Sequence, residues 1–196
     1  MKQLLLITFM IFSLKALAHP VIYKGGWAIN SGNMANYSNN YVLYSFTNRF
    51  AAGIEHDRFD KVDVGLLKFN SLLVRHNGDD SQANLYFHGG VGKEIYNYGA
   101  EADWETRTLY TSLKHLRFEG PRYKNYYVTQ GRVGLSPIKT GFDKLQAWFM
   151  VQGMVIHNVE DTVMITPMLR FFYHNILWEV GSSTRGDWML NLMVHY

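Results

Sequence analysis

The sequence predicts an all-β fold, a transmembrane antiparallel up-and-down β-barrel of about ten strands, with eight or twelve as the neighbouring solutions. Three observations lead there. The chain closes on a stretch in which Trp188, Leu190, Leu192, Val194 and Tyr196 fall on one face at period two, while Met189, Asn191, Met193 and His195 fall on the other. It opens with Met1-Lys2-Gln3, an apolar run from Leu4 to Leu14, then Lys15 and Ala16-Leu17-Ala18. A basic start, a short apolar centre and an Ala-x-Ala end form the anatomy of a secretory leader. Between these ends no apolar run approaches the ~20 residues of a membrane helix, so a spanning chain has to span as a closed barrel.

Residues 1–18 are therefore expected to be a cleaved signal peptide and residues 19–196 the barrel. Removing Lys2 and Lys15 leaves 17 basic against 16 acidic residues, so the mature chain is nearly neutral despite a formal charge of +3 for the whole sequence. No basic patch points to nucleic acid. Cysteine is absent, which removes the disulfide-stapled class of secreted scaffold. With 13 Tyr, 12 Phe and only four Pro, the composition suits strands. A soluble β-sandwich would share the alternation, but it would carry a plainly solvated outer face.

In chain order, the first expected strand runs from Val21 to Ile29, and the Asn-, Ser- and Gly-rich stretch from Asn30 to Asn40 reads as a loop. Tyr41 to His56 alternates cleanly, with Val42, Tyr44, Phe46, Phe50, Ala52 and Ile54 on one face. Thr47-Asn48-Arg49 has turn chemistry, but the phase passes straight through it and predicts one long strand. Val62 to Arg75 follows, with a phase slip at Leu66-Leu67 that suggests a bulge. His76-Asn77-Gly78-Asp79-Asp80 contains Asn-Gly, the strongest hairpin signal. Gln82 to Glu94 is next, then a linker near Asn97-Tyr98-Gly99-Ala100 and a strand from Asp103 to Phe118. Arg122 to Leu135, Lys144 to Ile156, Thr162 to Tyr173, Ile176 to Ser182 and Trp188 to Tyr196 complete ten. Pro167 cannot donate to a ladder and marks its strand as interrupted or bulged.

The apolar face of the C-terminal strands includes Phe149, Val151, Val155, Val163, Ile165, Leu169, Phe171, Ile176, Trp178 and Val180, with aromatics toward strand ends as membrane interfaces favour. The opposite face collects Arg49, Glu55, Glu94, Glu105, Arg107, Arg117, Arg122, Arg132, Arg170 and Glu179. Charges of both signs at alternate positions predict an ion-paired interior, because small barrels fill their lumen with side chains. Such a face supports a narrow channel or transport component for small polar solutes or ions; a non-conducting structural or partner-binding barrel with a plugged interior is the alternative. Met150, Met154, Met164, Met168, Met189 and Met193 share the inward face with His174 and His195. Thioethers and imidazoles suit Cu(I) or Ag(I), although methionine equally fills irregular interiors. No other cofactor is implied. His115 and Ser112 lie on opposite faces, and neither a Gly-x-Ser-x-Gly elbow nor a His-Glu-x-x-His pattern occurs. The expectation is a non-enzyme, with a lipid-modifying hydrolase a distant third reading.

The terminal strand Trp188–Tyr196 resembles the closing strand of Gram-negative outer-membrane β-barrels, which typically end on an aromatic residue preceded by alternate apolar positions. Tyr23-Lys24-Gly25-Gly26-Trp27, Ala102-Asp103-Trp104-Glu105-Thr106-Arg107 and Thr166-Pro167-Met168-Leu169-Arg170-Phe171-Phe172 resemble stretches of an uncharacterised family of small proteobacterial outer-membrane proteins. The resemblance implies export through the periplasm, residence among outer-membrane lipids and delivery to the barrel assembly machinery by Trp188–Tyr196; it brings no activity with it. Deleting Tyr196 should accordingly reduce the heat-modifiable, membrane-borne form of the protein in cell fractions. Recovery of the intact chain as freely soluble periplasmic material would contradict the barrel.

Overall fold

The structure, a computed structural model, describes residues 19–121, 125–139 and 144–196. Among these, twelve strands pair antiparallel in chain order and the last closes on the first. They are β1 (Trp27–Asn33), β2 (Tyr37–Ser45), β3 (Phe50–Phe59), β4 (Val62–Asn77), β5 (Ser81–Gly92) and β6 (Ile95–Thr106), followed by β7 (Leu109–Glu119), β8 (Tyr126–Leu135), β9 (Gln146–His157), β10 (Glu160–Tyr173), β11 (Ile176–Ser182) and β12 (Trp188–His195). Closure pairs Ala28 with His195 through Asn33 with Leu190. Trp27 and Tyr196 then exchange backbone hydrogen bonds of 2.6 and 2.8 Å, so both ends of the barrel wall meet at one rim, the terminus end. The expected leader, residues 1–18, lies outside the described residues.

Twelve strands replace the expected ten because two of the expected strands each contain a hairpin, at 46–49 and at 107–108. Residues 46–49 join β2 to β3, and Ser45 pairs with Ala51. Odd-numbered residues face inward on both sides of this turn, where Leu43, Ser45, Ala51, Glu55 and Asp57 are buried. The phase therefore continues unbroken. Arg49 N–H donates to Thr47 Oγ1 at 3.1 Å to hold the turn. Between β6 and β7 the turn is Arg107-Thr108, with Glu105 opposite Tyr110. Thr106 Oγ1 accepts the N–H groups of Thr108 and Leu109 at 3.1 and 2.9 Å, turn chemistry without Gly, Pro or Asn.

The Asn-rich stretch expected as a loop forms the second half of β1 and the start of β2 instead, joined by a short turn. Two of its asparagines look inward: Asn30 donates to the Asn39 carbonyl at 3.0 Å, and Asn39 donates to Glu55 and Asp57 at 2.7 Å each. The expected linker at Asn97–Ala100 is likewise part of β6. Gly99 is required there, since a Cβ would lie 2.0 Å from the His115 carbonyl oxygen across the ladder. The bulge also moves. Leu66 and Leu67 pair regularly with Gly92 and Val91, and the register shifts between Leu72 and Val74. Pro167 keeps register with Val151, and its missing donor is tolerated because the β11 ladder begins only at Met168.

The outer wall is apolar. Ile54, Leu67, Leu113, Val133, Phe149, Val163, Leu190 and Leu192 all stand exposed on it. Aromatic pairs edge this belt, among them Trp27 with Tyr44 at 5.1 Å and Phe171 with Trp178 at 5.6 Å. The core is the lumen itself. At the far end, where β3 turns into β4 and β7 leads to β8, Phe59, Leu116, Phe118, Tyr126, Ile156, Met154 and Met164 form one cluster. The Phe59 ring stacks on Tyr126 and meets Phe118 edge-on, each at 4.8 Å between centroids. β3 and β8 stand five strands apart in a twelve-strand ring, so these rings bridge the lumen from wall to wall.

Candidate functional site: the barrel interior

Below the aromatic bridge the inward positions become polar, and Glu55, Glu101 and Glu179 are each paired by side chains from neighbouring strands. On one wall Glu55 is ion-paired with Lys68 and accepts from Asn39 at 2.7 Å and Asn97 at 3.1 Å. On the opposite wall Glu179, fully buried, accepts from Arg170 Nε at 2.7 Å, Asn191 at 2.9 Å and Arg132 at 3.2 Å. Gln152 steadies this group by accepting from Arg132 Nε at 2.9 Å and Gln130 at 2.8 Å. Between the walls His88 bridges Asn70 (2.8 Å) and Glu101 (3.1 Å), and Lys114 stands 3.7 Å from Glu101. Three carboxylates thus anchor the network by accepting charge-assisted bonds.

The pairing leaves a cavity of about 130 Å³ whose wall includes Lys68, Lys114, Arg132 and Arg170 but only one carboxylate, Glu101. Glu55 and Glu179 stand behind their cations. A second cavity of about 290 Å³ opens at the terminus end past Glu105, Arg107, Trp148 and the turn at Asn77–Asp80. Tyr110, Arg170 and Leu177 line both. The Arg170 guanidinium lies 4.4 Å from the centre of the Tyr110 ring, a cation–π contact at the neck between the two spaces.

Of the charged residues expected inside, Glu55, Glu105, Arg132, Arg170 and Glu179 face the lumen. Four do not. Arg49 is exposed in the β2–β3 turn, Arg107 is in the β6–β7 turn at the mouth, and Glu94 occupies the β5–β6 turn with φ 61°. Turn residues leave the alternation that placed them inward. Arg117 points outward because the turn at 107–108 reverses the parity of β7: Leu116 and Phe118 are buried, while Arg117 packs against Tyr127 at 4.8 Å and pairs with Glu119 at 2.8 Å. Arg122 lies outside the described residues. Lys68, Asp57, His88, Glu101 and Lys114 join the interior without having been singled out as its network. Lys68 shares its face with Val64 and Leu66, apolar residues of the far-end cluster, and that masked an inward face as a lipid-facing one.

Met150, Met154, Met164, Met168 and Met189 are buried inward, and Met193 lines the cavity half-buried. Met154 opposes Met164 and Met150 opposes Met168 across β9 and β10. They divide between two clusters, Met154 and Met164 in the far-end one, Met150, Met168 and Met189 with Trp148 in another. Two thioethers accept weak bonds at 3.8 Å, Met154 from Gln130 and Met34 from Gln152. His174 stands apart in the β10–β11 turn, its ring 4.2 Å from Tyr173, because its φ of 53° belongs to a turn rather than a strand. His195 is buried at the terminus end. Among the described residues no three His, Asp or Glu side chains are grouped to hold a metal ion, so a soft-ion site would rest on thioethers. His115 donates or accepts at 2.8 Å with Thr129 on the outer wall, away from Ser112.

No protein-family model matches the chain. No curated protein matches it either. Solved structures do. A KdgM porin in complex with disordered oligogalacturonate superposes with a TM-score of 0.51 at 14% identity, covering 87% of this chain and 98% of that one. A NanC porin aligns with a TM-score of 0.48 at 8% identity over 86% of this chain and 97% of that one. At this identity the likeness to the KdgM barrel establishes a shared fold.

The geometry makes Glu179 the keystone of one wall. Glu179→Gln leaves Arg132 and Arg170 without their carboxylate and should lower the unfolding free energy in lipid vesicles by about 3 kcal/mol. Adding Arg132→Gln should restore part of that loss. A change below about 1 kcal/mol would mean that cavity water already screens the charges.

Proposed function

We propose that this chain is a small outer-membrane β-barrel acting as a narrow channel, or the pore of a transport system, for small polar solutes or ions. The terminus end would face the periplasm, which an even strand number allows. The observation that carries the proposal is a charged cavity, walled by four cationic side chains and one carboxylate, inside a closed wall that is apolar outside. A barrel needed only as a membrane anchor has no use for buried ions, each of which costs desolvation. Carboxylates set behind their cations leave a positive inner surface, which favours small anions. The oligogalacturonate named with one solved barrel is also an anion. The proposal assigns no catalytic role.

One observation favours the second reading, a non-conducting barrel with a plugged interior. The Phe59–Tyr126 stack and Phe118 bridge the lumen at the far end and narrow it. In the channel reading these rings form an apolar constriction that opens by rotation and wetting. Planar-bilayer recording separates the two. Wild type should show small, intermittent conductance, and Phe59→Ala with Phe118→Ala should raise the open time or conductance by roughly threefold or more. Silence from both proteins would leave the plugged barrel as the function.

A further inference from the structure

The segment ahead of β1 does not trail away from the barrel; it folds back inside. Gly25, with φ +88°, reverses the chain at the rim, and its N–H donates to the Ser45 carbonyl at 2.7 Å. Gly26 leaves room for Ile22, whose Cδ1 would lie 2.7 Å from a Cβ there. Past this bend Val21 is 1% exposed among Tyr41, Leu43, Leu72 and Tyr86. Asn70 donates to the Pro20 carbonyl at 3.3 Å, and Pro20 lines the central cavity. His19, 6% exposed, reaches Asp103 at 3.8 Å and Glu105 at 3.6 Å.

The pocket at the tip of this segment is short of positive charge. Neither Asp103 nor Glu105 has an ion pair with a lysine or arginine among the described residues. Two guanidinium groups stand in the neighbourhood but are engaged elsewhere: Arg75 donates to Asn84 at 2.7 Å and Tyr86 at 3.4 Å, and Arg170 is paired with Glu179 at 2.7 Å. Asp103 accepts from Asn84 at 2.7 Å. His19 Nε2 and Glu105 Oε1 are both buried without a hydrogen-bond partner. One buried and one half-buried carboxylate facing a single imidazole call for a further cation.

We propose that Asp103 and Glu105 form the receptor for the chain's own amino terminus, created by cleavage after Ala18, which docks as an internal plug at the periplasmic side. While the leader is attached, the nitrogen of His19 is a neutral amide. Cleavage converts it into an ammonium group on the residue already held between the carboxylates. Leader removal therefore supplies the missing charge and seats residues 19–22 against the cavity. This plug acts on the pore of the channel reading, but its docking is measurable apart from conduction.

The test uses the full barrel processed to begin at His19, folded in vesicles and treated near pH 7 with an amine-reactive ester, with N-terminal labelling read by peptide mass. The terminal amine should react at least about tenfold slower in the folded protein than in the unfolded chain, and Asp103→Asn with Glu105→Gln should bring the two rates within about twofold. If that double variant does not fold, the comparison of folded and unfolded wild type still decides. Equal rates would overturn the plug. A barrel beginning at Tyr23 should conduct more than the one beginning at His19. A protected amine with no conductance from either form would support the plug and overturn the channel.

Discussion

Everything in this molecule depends on the ladder that joins β1 to β12. In a bilayer every backbone N–H and C=O has to find its partner within the protein, and a sheet does so only by closing. The pairing of Ala28–Asn33 with Leu190–His195 removes the last two open edges. Once the ring is closed, side-chain parity has only two destinations. Trp188, Leu190 and Leu192 meet lipid, and Met189, Asn191 and His195 meet the lumen. Inside the ring, side chains from neighbouring strands satisfy most of the buried polar groups among the described residues.

The interior is organised into layers. The far end is aromatic, the middle is ionic, and the terminus end admits residues 19–22. Glu55 is held by Lys68, Asn39 and Asn97, and Glu179 by Arg170, Arg132 and Asn191. Because these carboxylates are enclosed behind their partners, the free faces of Lys68, Lys114, Arg132 and Arg170 set the character of the cavity. Arg170 belongs to both the anchor and the neck beside Tyr110, so a solute that draws its guanidinium away from the ring would widen the passage. In the proposed channel, structure and transport share the same side chains.

How much of this could be read from the sequence follows from the same layering. The barrel class and strands such as Ile176–Ser182 were legible because their outer faces are continuously apolar. Strand number was not. The four-residue turn at 46–49 preserves phase, and the turn at 107–108, although it moves the inward face from odd to even positions, is closed by the Thr106 hydroxyl without Gly, Pro or Asn. Asn30, Asn39 and Asn97 looked like loop residues because a polar lumen and a loop select the same side chains. Lys68 was hidden for the opposite reason, since the aromatic closure makes part of the inward face apolar. The inward methionines were legible as a stripe, but their division between two packed clusters follows depth along the ladder, Met154 opposite Met164 and Met150 opposite Met168, which depends on the β9–β10 register. Val21 and Ile22 read as the start of a first strand, Val21–Ile29, but the bend at Gly25 sends residues 19–22 into the lumen and the strand begins only at Trp27.

The central claim, that the cation-lined cavity is the solute path, is tested most directly by the reversal potential across a KCl gradient. Wild type should reverse at a potential whose sign gives a preference for chloride, and Lys114→Gln should move it toward zero, since Lys114 lines the cavity with its nearest carboxylate, Glu101, at 3.7 Å. A preference for potassium, or a chloride preference that Lys114→Gln leaves untouched, would contradict the account.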